Sequence, residues 1–552
     1  MRNMMRRLVV VISLLFPALV WAESRTITIL YTSDVHARVH EVDEIRRRPA
    51  AGSLAGVASY VAAVRQGSPF TVVLDGGDAI QGTPLAHYAL AVPGGDGLDP
   101  TVAAMNTIGY DAAVVGNHEF NYGLKVLGRS VLQSRFPWLA ANLEGADSAG
   151  LEVVPATVLV RGGVRVGVLG LTNPNVPNWD LPSRWEGLSF LDPLVVAQAQ
   201  IAVLRPEVDV LIVVAHTGFE RDLDTGELLS SGPEQFAWAL SQLEGIDVLL
   251  TGHSHRNIPP RELGSTVVAQ PGRWAEWVSR VDLHLERREG GWVVTGWQGE
   301  QASMSGVPPH EDVLRAVDGP RRRMEEELQR VVGRLASPLA LGGVPPADHP
   351  AVDLLHQVQL RATGAELSLA APLAMATQEF PAGEITPREL HALYPYPNTL
   401  VVVHLSGAQV RDVLEHAVRG WSGVECREPA SCTLYRDPAL PGYGYDTLEG
   451  ATYVVDVTQP AGSRIRALRV RGELMDPGQM FSVALNSYRA AGSGGFPHLK
   501  SAPRLRETDR QMVDLLADYF AAEGVVTPGA SENFFFVIPL AAATGAPRAG
   551  TR

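Results

Sequence analysis

Six short apolar runs rich in β-branched residues recur along the first half of the chain. Each run leads into a polar or glycine-rich turn and then into a longer stretch with helical character. The runs are Thr26–Tyr31, Thr71–Leu74, Ala112–Val115, Val164–Leu169, Val208–Val214 and Asp247–Leu250. Nearly continuous apolar strands that alternate with helices are typical of buried strands in layered α/β proteins. We therefore expect an α/β layered domain here.

The second half of the chain mixes helical and strand patterns. They predict helices at Arg388–Leu393 and Ala408–Val418. They predict strands at Leu400–Leu405, Ala451–Val457, Arg464–Val470 and Met480–Leu485. A charged stretch within 311–332 predicts one solvent-facing helix that joins the halves. Because 552 residues exceed what one hydrophobic core usually supports, we expect two domains, at 23–310 and 346–540. Residues 311–345 would then form a linker helix, and residues 541–552 a flexible tail.

The N-terminus has the pattern of a signal peptide. Arg2, Arg6 and Arg7 precede a short apolar run, Leu8–Val20, which ends near Ala22. We expect residues 1–22 to be removed and the protein to be periplasmic or otherwise secreted, with an uncleaved anchor as the alternative. No later stretch reaches about 18 apolar residues, so we expect no membrane span in the mature chain.

The net charge narrows the possible partners, and the cysteine content concerns the local structure of one loop. A formal net charge of -14 argues against a surface that binds a nucleic-acid polymer, so a local site must hold any phosphorylated substrate. We also expect a monomer. The two cysteines of the chain, Cys426 and Cys432, could form a local disulfide in an oxidising compartment.

Polar side chains with metal-binding chemistry follow five of the predicted strands. They are Asp34 and His36, Asp78, Asn117, His216, and His253 and His255. Each motif alone is common as a turn, a helix cap or a surface histidine. Ligands of open α/β sheets bind outside the carboxyl ends of the strands, however, so five such loops predict one cleft. Several imidazoles with bridging carboxylates suit two divalent ions of the zinc, manganese, iron or cobalt type.

These residues resemble the calcineurin-like metallophosphoesterase pattern of D-x-H, G-D, G-N-H-E, H and G-H-x-H. The resemblance implies that Asp34, His36, Asp78 and His255 hold one ion, and that Asp78, Asn117, His216 and His253 hold the other. It also implies that His118, beside the catalytic Asn117, contacts the phosphate and assists departure of the leaving group. The 5'-nucleotidase branch orients this histidine with an aspartate. This chain has Asn121 there, so His118 is expected to be less basic.

Aromatic residues in the second half point to a nucleobase. Tyr394 and Tyr396 lie in the Pro-rich segment 393–400, and Tyr488 precedes a glycine-rich loop. Two facing aromatics can stack a base, at about 1–3 kcal/mol per base. With Asp78-Ala-Ile-Gln-Gly-Thr-Pro and Pro271-Gly-Arg-Trp, these segments resemble the two-domain nucleotidases, especially the 2',3'-cyclic-nucleotide 2'-phosphodiesterase/3'-nucleotidases. Tyr396 and Tyr488 match that family's base-stacking positions, whereas packing is the expected role of Tyr394.

The resemblance implies an enzyme that opens 2',3'-cyclic nucleotides to 3'-nucleotides and hydrolyses these to nucleoside and phosphate. The 5'-nucleotidase branch carries an Asn-Gly-Gly-x-Arg segment and an aspartate in the late glycine-rich loop. Here Ala370-Ala371-Pro372-Leu373-Ala374 and Gly494 stand at those places. A 5'-nucleotidase or nucleotide-sugar hydrolase is therefore a weaker alternative. A sulfur-oxidation hydrolase and a non-catalytic nucleotide- or metal-binding surface protein are the others.

Overall fold

The computed structural model describes residues 23–92, 97–230, 232–341, 347–373, 379–428, 431–437, 440 and 442–537, with the backbone alone at 422–428, 431–433 and 509. The predicted signal peptide and the predicted tail lie outside these ranges, as do the side chains of Cys426 and Cys432. Across the described ranges, no helix is both long and apolar enough to cross a membrane.

The first half of the chain alternates strands and helices. Its elements are β1 Ser24–Thr32, β2 Val42–Asp43, β3 Arg48–Pro49, α1 Leu54–Gly67, β4 Thr71–Asp75, α2 Pro84–Ala86, α3 Pro100–Ile108, β5 Ala112–Val114, α4 Leu124–Gln133, β6 Trp138–Leu139, β7 Leu143–Glu144, β8 Val153–Val154, β9 Ala156–Arg161, β10 Val164–Leu171, β11 Ser189–Phe190, α5 Pro193–Leu204, β12 Val210–Ala215, α6 Ala237–Ser241, β13 Val248–Thr251, β14 Asn257–Leu263, β15 Thr266–Pro271, β16 Trp277–Arg288 and β17 Gly291–Ser303.

Two twisted sheets pack face to face in this half. One sheet has the order β17-β16-β1-β4-β5-β6-β8, and the other has the order β14-β15-β13-β12-β10-β9. The central strands of both sheets pair in parallel. Antiparallel strands lie at three of the four edges, and β8 pairs in parallel with β6 at the fourth. Apolar side chains from both sheets form one buried core between them, with members such as Ile29, Leu74, Val168, Val214 and Leu250.

Helices cover the outer face of each sheet. The helices α1, α3 and α4 pack on the first sheet, and α5 and α6 pack on the second. Caps set where several of them begin: Asp99 accepts hydrogen bonds from the backbone at the start of α3, and Asp192 does the same for α5. The resulting order of helix, sheet, sheet, helix confirms the predicted α/β layered domain, and all six predicted runs are strands.

The connector differs from the single solvent-facing helix that the charge pattern predicts. It consists of two helices, α7 Glu311–Ala316 and α8 Asp318–Gln329, because the backbone leaves the helical region at Val317. Val313, Met324 and Leu328 are buried in the core under the first sheet. The connector is therefore part of the packing of the first half, and only its charged face meets solvent.

The second half forms smaller sheets with helices around them. Its elements are β18 Gly333–Leu335, β19 Leu339–Ala340, α9 Pro350–Thr363, β20 Leu367–Ala370, β21 Glu379–Phe380, β22 Gly383–Ile385, α10 Pro387–Leu393, β23 Thr399–Ser406, α11 Gly407–Ala417, β24 Trp421–Glu428, β25 Ser431–Arg436, β26 Thr447–Glu449, β27 Thr452–Asp456, β28 Ile465–Val470, β29 Glu473–Leu474, β30 Met480–Asn486, α12 Ser487–Ala490, β31 Arg504–Gln511, α13 Met512–Glu523, β32 Val525–Val526 and β33 Phe534–Val537.

A five-stranded sheet, β26-β20-β30-β23-β31, carries the main core of this half. Contacts join it to the first half at several points. The imidazole of His87 lies 3.0 Å from a carboxylate oxygen of Asp514 in α13. Leu181, from the loop before β11, packs into the core of the second half. That loop therefore touches both halves of the molecule.

Candidate metal centre

The predicted ligands lie in the loops that directly follow five buried strands. Asp34 and His36 follow β1, Asp78 follows β4 and Asn117 follows β5, all in the first sheet. His216 follows β12, and His253 and His255 follow β13, in the second sheet. Since these strands are parallel neighbours within each sheet, their carboxyl ends open on one edge of the sandwich.

Asp34, His36 and His255 form one group of converging ligand atoms. The Nε2 atoms of His36 and His255 are 3.1 Å apart, and Nε2 of His255 is 3.4 Å from Oδ1 of Asp34. Asp34 is wholly buried and also accepts a hydrogen bond from the hydroxyl of Ser33. A buried carboxylate facing two imidazole nitrogens suits a divalent cation of borderline softness.

A second group contains Asp78, His216 and His253. Nε2 of His216 lies 3.0 Å from Oδ2 of Asp78 and 3.1 Å from Oδ1 of Asn117. Nδ1 of His253 lies 2.9 Å from the same Asn117 oxygen. Asp78 also belongs to a third group with His36 and His118, so its carboxylate stands between the two sides of the cluster. That central position fits the bridging role that the resemblance to the metallophosphoesterases implies for Asp78.

Backbone carbonyls orient two of the imidazoles. Nδ1 of His36 lies 3.0 Å from the carbonyl oxygen of Gln81, and Nδ1 of His216 lies 2.7 Å from that of Gly76. Each Nδ1–H donates to its carbonyl, so Nε2 is the nitrogen that faces the cluster. This arrangement fixes the tautomer that a metal-binding histidine requires.

The electrostatics of the cluster follow from burial and close charges. Burial lowers the pKa of His36 to about 4 and that of His253 to about 3. Burial opposes the charged forms of His216 and Asp78 as well, but their mutual attraction raises the pKa of His216 to about 10 and lowers that of Asp78. Two neutral imidazoles beside anionic carboxylates form the donor set that a divalent metal needs.

Close approach of the backbone explains the glycines at these turns. A Cβ atom at Gly116 would lie 2.4 Å from Oδ1 of Asp78, and one at Gly252 would lie 2.2 Å from the Ser33 hydroxyl. Glu119, which is wholly buried, accepts hydrogen bonds from the backbone N–H groups of Gly116, Asp78, Ala79 and Ile80. One carboxylate therefore ties the loop after β4 to the loop after β5.

His118 stands at the side of the cluster with its ring partly exposed. Its Nε2 lies 3.9 Å from Oδ2 of Asp78, and its Nδ1 lies 2.6 Å from Oδ1 of Asn121. Nδ2 of Asn121 in turn donates to Asp180 over 2.7 Å. His118 is therefore connected to a carboxylate through Asn121 instead of being paired directly with an aspartate. The sequence alone did not indicate this relay of hydrogen bonds from His118 through Asn121 to Asp180.

Arg273 and Trp274 form the rim of the cluster on the side of His255. The guanidinium lies over the Trp274 ring at 4.2 Å, and its Nη1 is 3.3 Å from Nδ1 of His255. The positive charge of Arg273 also lowers the pKa of Tyr396, which burial raises overall. Arg273 thus links the metal-binding cluster to the aromatic residues of the second half.

The two predicted stacking tyrosines lie near a third tyrosine. Tyr396 is 42% exposed, and the ring of Tyr488 packs edge-on against Tyr443 at 6.5 Å. Burial raises the pKa of both Tyr396 and Tyr488, and the neighbouring Tyr443 raises it further. Tyr394 is only 2% exposed and accepts a hydrogen bond from Asn398, which confirms its expected packing role.

Arg489 holds this aromatic face together. Its buried guanidinium pairs with Asp446 at 2.7 Å and donates to the carbonyls of Tyr443 and Ser493. A Cβ atom at Gly494 would lie 2.3 Å from the same guanidinium. The guanidinium of Arg489 therefore fills the space next to Gly494, where the 5'-nucleotidase branch has an aspartate.

Four residues with evident roles at the site carry no prediction from the sequence. They are Glu119, Asp180, Arg273 and Tyr443. Glu119 belongs to the predicted G-N-H-E motif and Arg273 to the Pro-Gly-Arg-Trp segment, so these two had a local signal. Asp180 and Tyr443 lie in irregular loops far from their partners in sequence, and no periodicity marks them.

Comparison with known proteins agrees with this division of the chain. Residues 27–257 match the family of calcineurin-like phosphoesterases, and residues 331–501 match the 5'-nucleotidase C-terminal domain. A 2',3'-cyclic-nucleotide 2'-phosphodiesterase/3'-nucleotidase of Haemophilus influenzae is 27% identical over 92% of this chain and 87% of its own length. A trifunctional nucleotide phosphoesterase of Bacillus subtilis is 28% identical over 92% of this chain, but the match spans only 38% of that protein.

A solved structure shows the same two-part arrangement. A Staphylococcus aureus protein, assigned as a 5'-nucleotidase and solved with alpha-ketoglutarate, superposes with a TM-score of 0.79 at 26% identity. The superposition covers 93% of this chain and 99% of the other. The similarity therefore extends over both halves of the molecule.

Proposed function

Because this chain belongs to the two-domain 5'-nucleotidase/metallophosphoesterase family and is a metal-dependent phosphoesterase, we propose that it is an exported two-metal nucleotide hydrolase. Its reactions are the opening of 2',3'-cyclic nucleotides to 3'-nucleotides and the hydrolysis of these to nucleoside and phosphate. The observation that carries the proposal is the link from the ligand cluster through Arg273 to Tyr396. One substrate can thus reach the metal-binding cluster with its phosphate and the tyrosines with its base.

The donor set fits two divalent ions, one among Asp34, His36 and His255 and one among Asp78, His216 and His253. Asn117 would add its Oδ1 to the second, because this oxygen faces both histidines of that group. Such ions, when bound, activate water for attack and neutralise the charge that develops on the phosphate. His118 lies beside the cluster, where its Nε2 can deliver a proton to the departing ribose oxygen.

Tyr396 and Tyr488 recognise the base by stacking against its π face. Stacking of this kind contributes about 1–3 kcal/mol per base and tolerates every base, so broad base tolerance is expected. The apolar segment at Ala370, Ala371 and Leu373 is buried in the second half and offers no charge to a phosphate. Such an apolar segment fits a substrate that the second half recognises mainly by stacking on its base.

Product analysis with three substrates tests the assignment. We expect hydrolysis of 2',3'-cyclic AMP to 3'-AMP and then to adenosine, with 5'-AMP a poor substrate. The structural similarity to the Staphylococcus aureus 5'-nucleotidase favours 5'-nucleotidase activity as the second candidate. Preferential hydrolysis of 5'-AMP would overturn the assignment in favour of that candidate.

The shared carboxylate offers a test of the two-metal chemistry. Asp78→Ala should abolish turnover of all three nucleotides and lower the metal content measured by mass spectrometry, because both sides of the cluster use this side chain. Asp224→Ala is the matched control, since Asp224 is exposed in a surface ion pair with Arg261. Full hydrolysis by the Asp78 variant would exclude the two-metal mechanism.

The exposed tyrosine offers a test of base recognition. Tyr396→Ala should raise KM for 3'-AMP about 5- to 100-fold, the equivalent of about 1–3 kcal/mol of stacking, and leave KM for p-nitrophenyl phosphate unchanged. Tyr435→Ala is the control, because Tyr435 is another exposed tyrosine of the second half, at 58% exposure. Equal effects of Tyr396→Ala on both substrates would count against a base-stacking role.

A further inference from the structure

Arg273 occupies a tight turn directly after β15. Gly272, Trp274 and Ala275 around it all have positive φ, so the chain bends sharply and directs Arg273 to the rim of the ligand cluster. The side chain is exposed, lies over Trp274 at 4.2 Å, and reaches Nδ1 of His255 at 3.3 Å. A positive charge at this place has no role in the chemistry described above.

The hydrogen bond between Arg273 and His255 is incompatible with metal ligation by that histidine. A guanidinium has donors only, so Nδ1 of His255 must accept, and Nε2 must then carry the ring hydrogen. Yet Nε2 is the atom that faces the cluster, 3.4 Å from Oδ1 of Asp34 and 3.1 Å from Nε2 of His36. A ligand nitrogen needs its lone pair, which places the hydrogen on Nδ1 opposite another donor. If His255 held a metal ion through Nε2, its Nδ1–H would no longer accept from Arg273, and the guanidinium would be free for another acceptor.

We propose that Arg273 is a substrate-binding residue whose guanidinium binds the phosphate oxygens of the nucleotide once the cluster is loaded. The planar fork of an arginine matches two phosphate oxygens, and stacking on Trp274 limits the freedom that it loses on binding. Arg273 contacts His255 and acts electrostatically on Tyr396, so it is near the expected sites of both the phosphate and the base. With a net charge of -14 the overall field repels a phosphate, so a local cation beside the cluster favours its binding. The proposal rests on the proposed nucleotide substrate.

Calorimetric titration of the metal-loaded protein with inorganic phosphate and, separately, with adenosine tests this role. Arg273→Met should weaken the binding of phosphate about 10- to 100-fold, as expected for loss of a charge-assisted pair of hydrogen bonds. Binding of adenosine should change less than about twofold, because adenosine carries no phosphate. Arg273→Lys should fall between the wild type and Arg273→Met, since lysine keeps the charge but not the fork.

Arg256→Met is the matched control, because Arg256 follows His255 directly and is also exposed, yet its charge acts on Asp222, whose pKa it lowers. It should bind phosphate as the wild type does. Metal content by mass spectrometry should be equal in all variants. An equal loss of phosphate and adenosine binding, unchanged phosphate binding, or loss of metal in Arg273→Met would each overturn the proposal. If adenosine does not bind the wild type and nucleotides are not hydrolysed, the proposed function fails, while the phosphate titrations still decide the role of Arg273.

Discussion

The relay from His118 to Asp180 predicts a defect that depends on the leaving group. The side-chain amide of Asn121 can present either Oδ1 or Nδ2 to His118. Asp180 selects one orientation, because a carboxylate only accepts hydrogen bonds and therefore requires Nδ2 on its side. Nδ2 of Asn121 donates to Asp180, so its Oδ1 faces His118 and accepts from Nδ1–H. The exchangeable proton of His118 is thereby placed on Nε2, towards the cluster. Asp180 is thus a positioning residue.

The size of the effect follows from the hydrogen bonds that are lost. In Asp180→Ala the Asn121 amide has no fixed partner, and it can present its N–H to His118 instead. Loss of a hydrogen bond to a charged group costs about 1.5–3 kcal/mol, which predicts a decrease of about 10- to 100-fold in kcat for 3'-AMP. Asp180→Asn keeps an acceptor without the charge, so its defect should be smaller, about fivefold.

Two substrates separate this role from a structural one. The ribose oxygen of 3'-AMP needs a proton when it leaves, whereas the p-nitrophenolate of p-nitrophenyl phosphate does not. We therefore expect the defect in steady-state kcat with 3'-AMP and almost none with p-nitrophenyl phosphate. The double variant Asn121→Asp, Asp180→Asn exchanges the two groups and should recover most of the lost kcat. Equal losses on both substrates, or no recovery in the exchanged variant, would refute the relay.

Two further predictions concern stability. Burial lowers the pKa of His356 to about 3, below the value of about 6.5 for an unfolded chain, so its contribution is complete above pH 6.5 and is lost on acidification. The glutamine of His356→Gln can still form hydrogen bonds with Ser368 and Thr447. Between pH 7.5 and pH 5, the free energy of unfolding in urea should therefore change by about 2 kcal/mol less in this variant than in the wild type. An equal change in both proteins would disprove this. His255 has φ 57°, so His255→Gly should be more stable than His255→Ala by about 1 kcal/mol in thermal unfolding of the metal-free protein, and the reverse order would exclude backbone strain there.

The sequence predicted those parts of the fold that depend on local pattern. Buried strands such as Val210–Ala215 are apolar along their whole length, and each ends where a polar ligand residue begins. Because parallel strands point the same way, the order of these ligands along the chain was enough to predict one edge. The connector shows the limit of such reasoning: its charged residues gave the correct outer face but did not reveal the break at Val317 or the buried Met324.

Contacts between irregular loops could not be predicted. Asp180 lies 59 positions from Asn121 in a loop without periodicity. The packing of Leu181 against the second half and of Trp179 on His253 helps to place it. Arg489 directly follows the predicted stacking residue Tyr488, yet its pairing with Asp446 depends on a turn 43 positions away. Such contacts are set by loop conformation, which hydrophobic patterning does not encode.

The backbone at the ligand cluster is strained, and hydrogen bonds from neighbouring loops hold it in this conformation. Asp34, His36, Asp78, His253 and His255 all have φ between 47° and 64°, a region that costs non-glycine residues about 1–2 kcal/mol each. The strain persists because surrounding groups fix these loops: Asp34 accepts from the backbone of His253, and Glu119 binds that of Asp78. The affinity of the cluster for a metal therefore depends on these hydrogen bonds and on the packing of the two sheets beneath the loops.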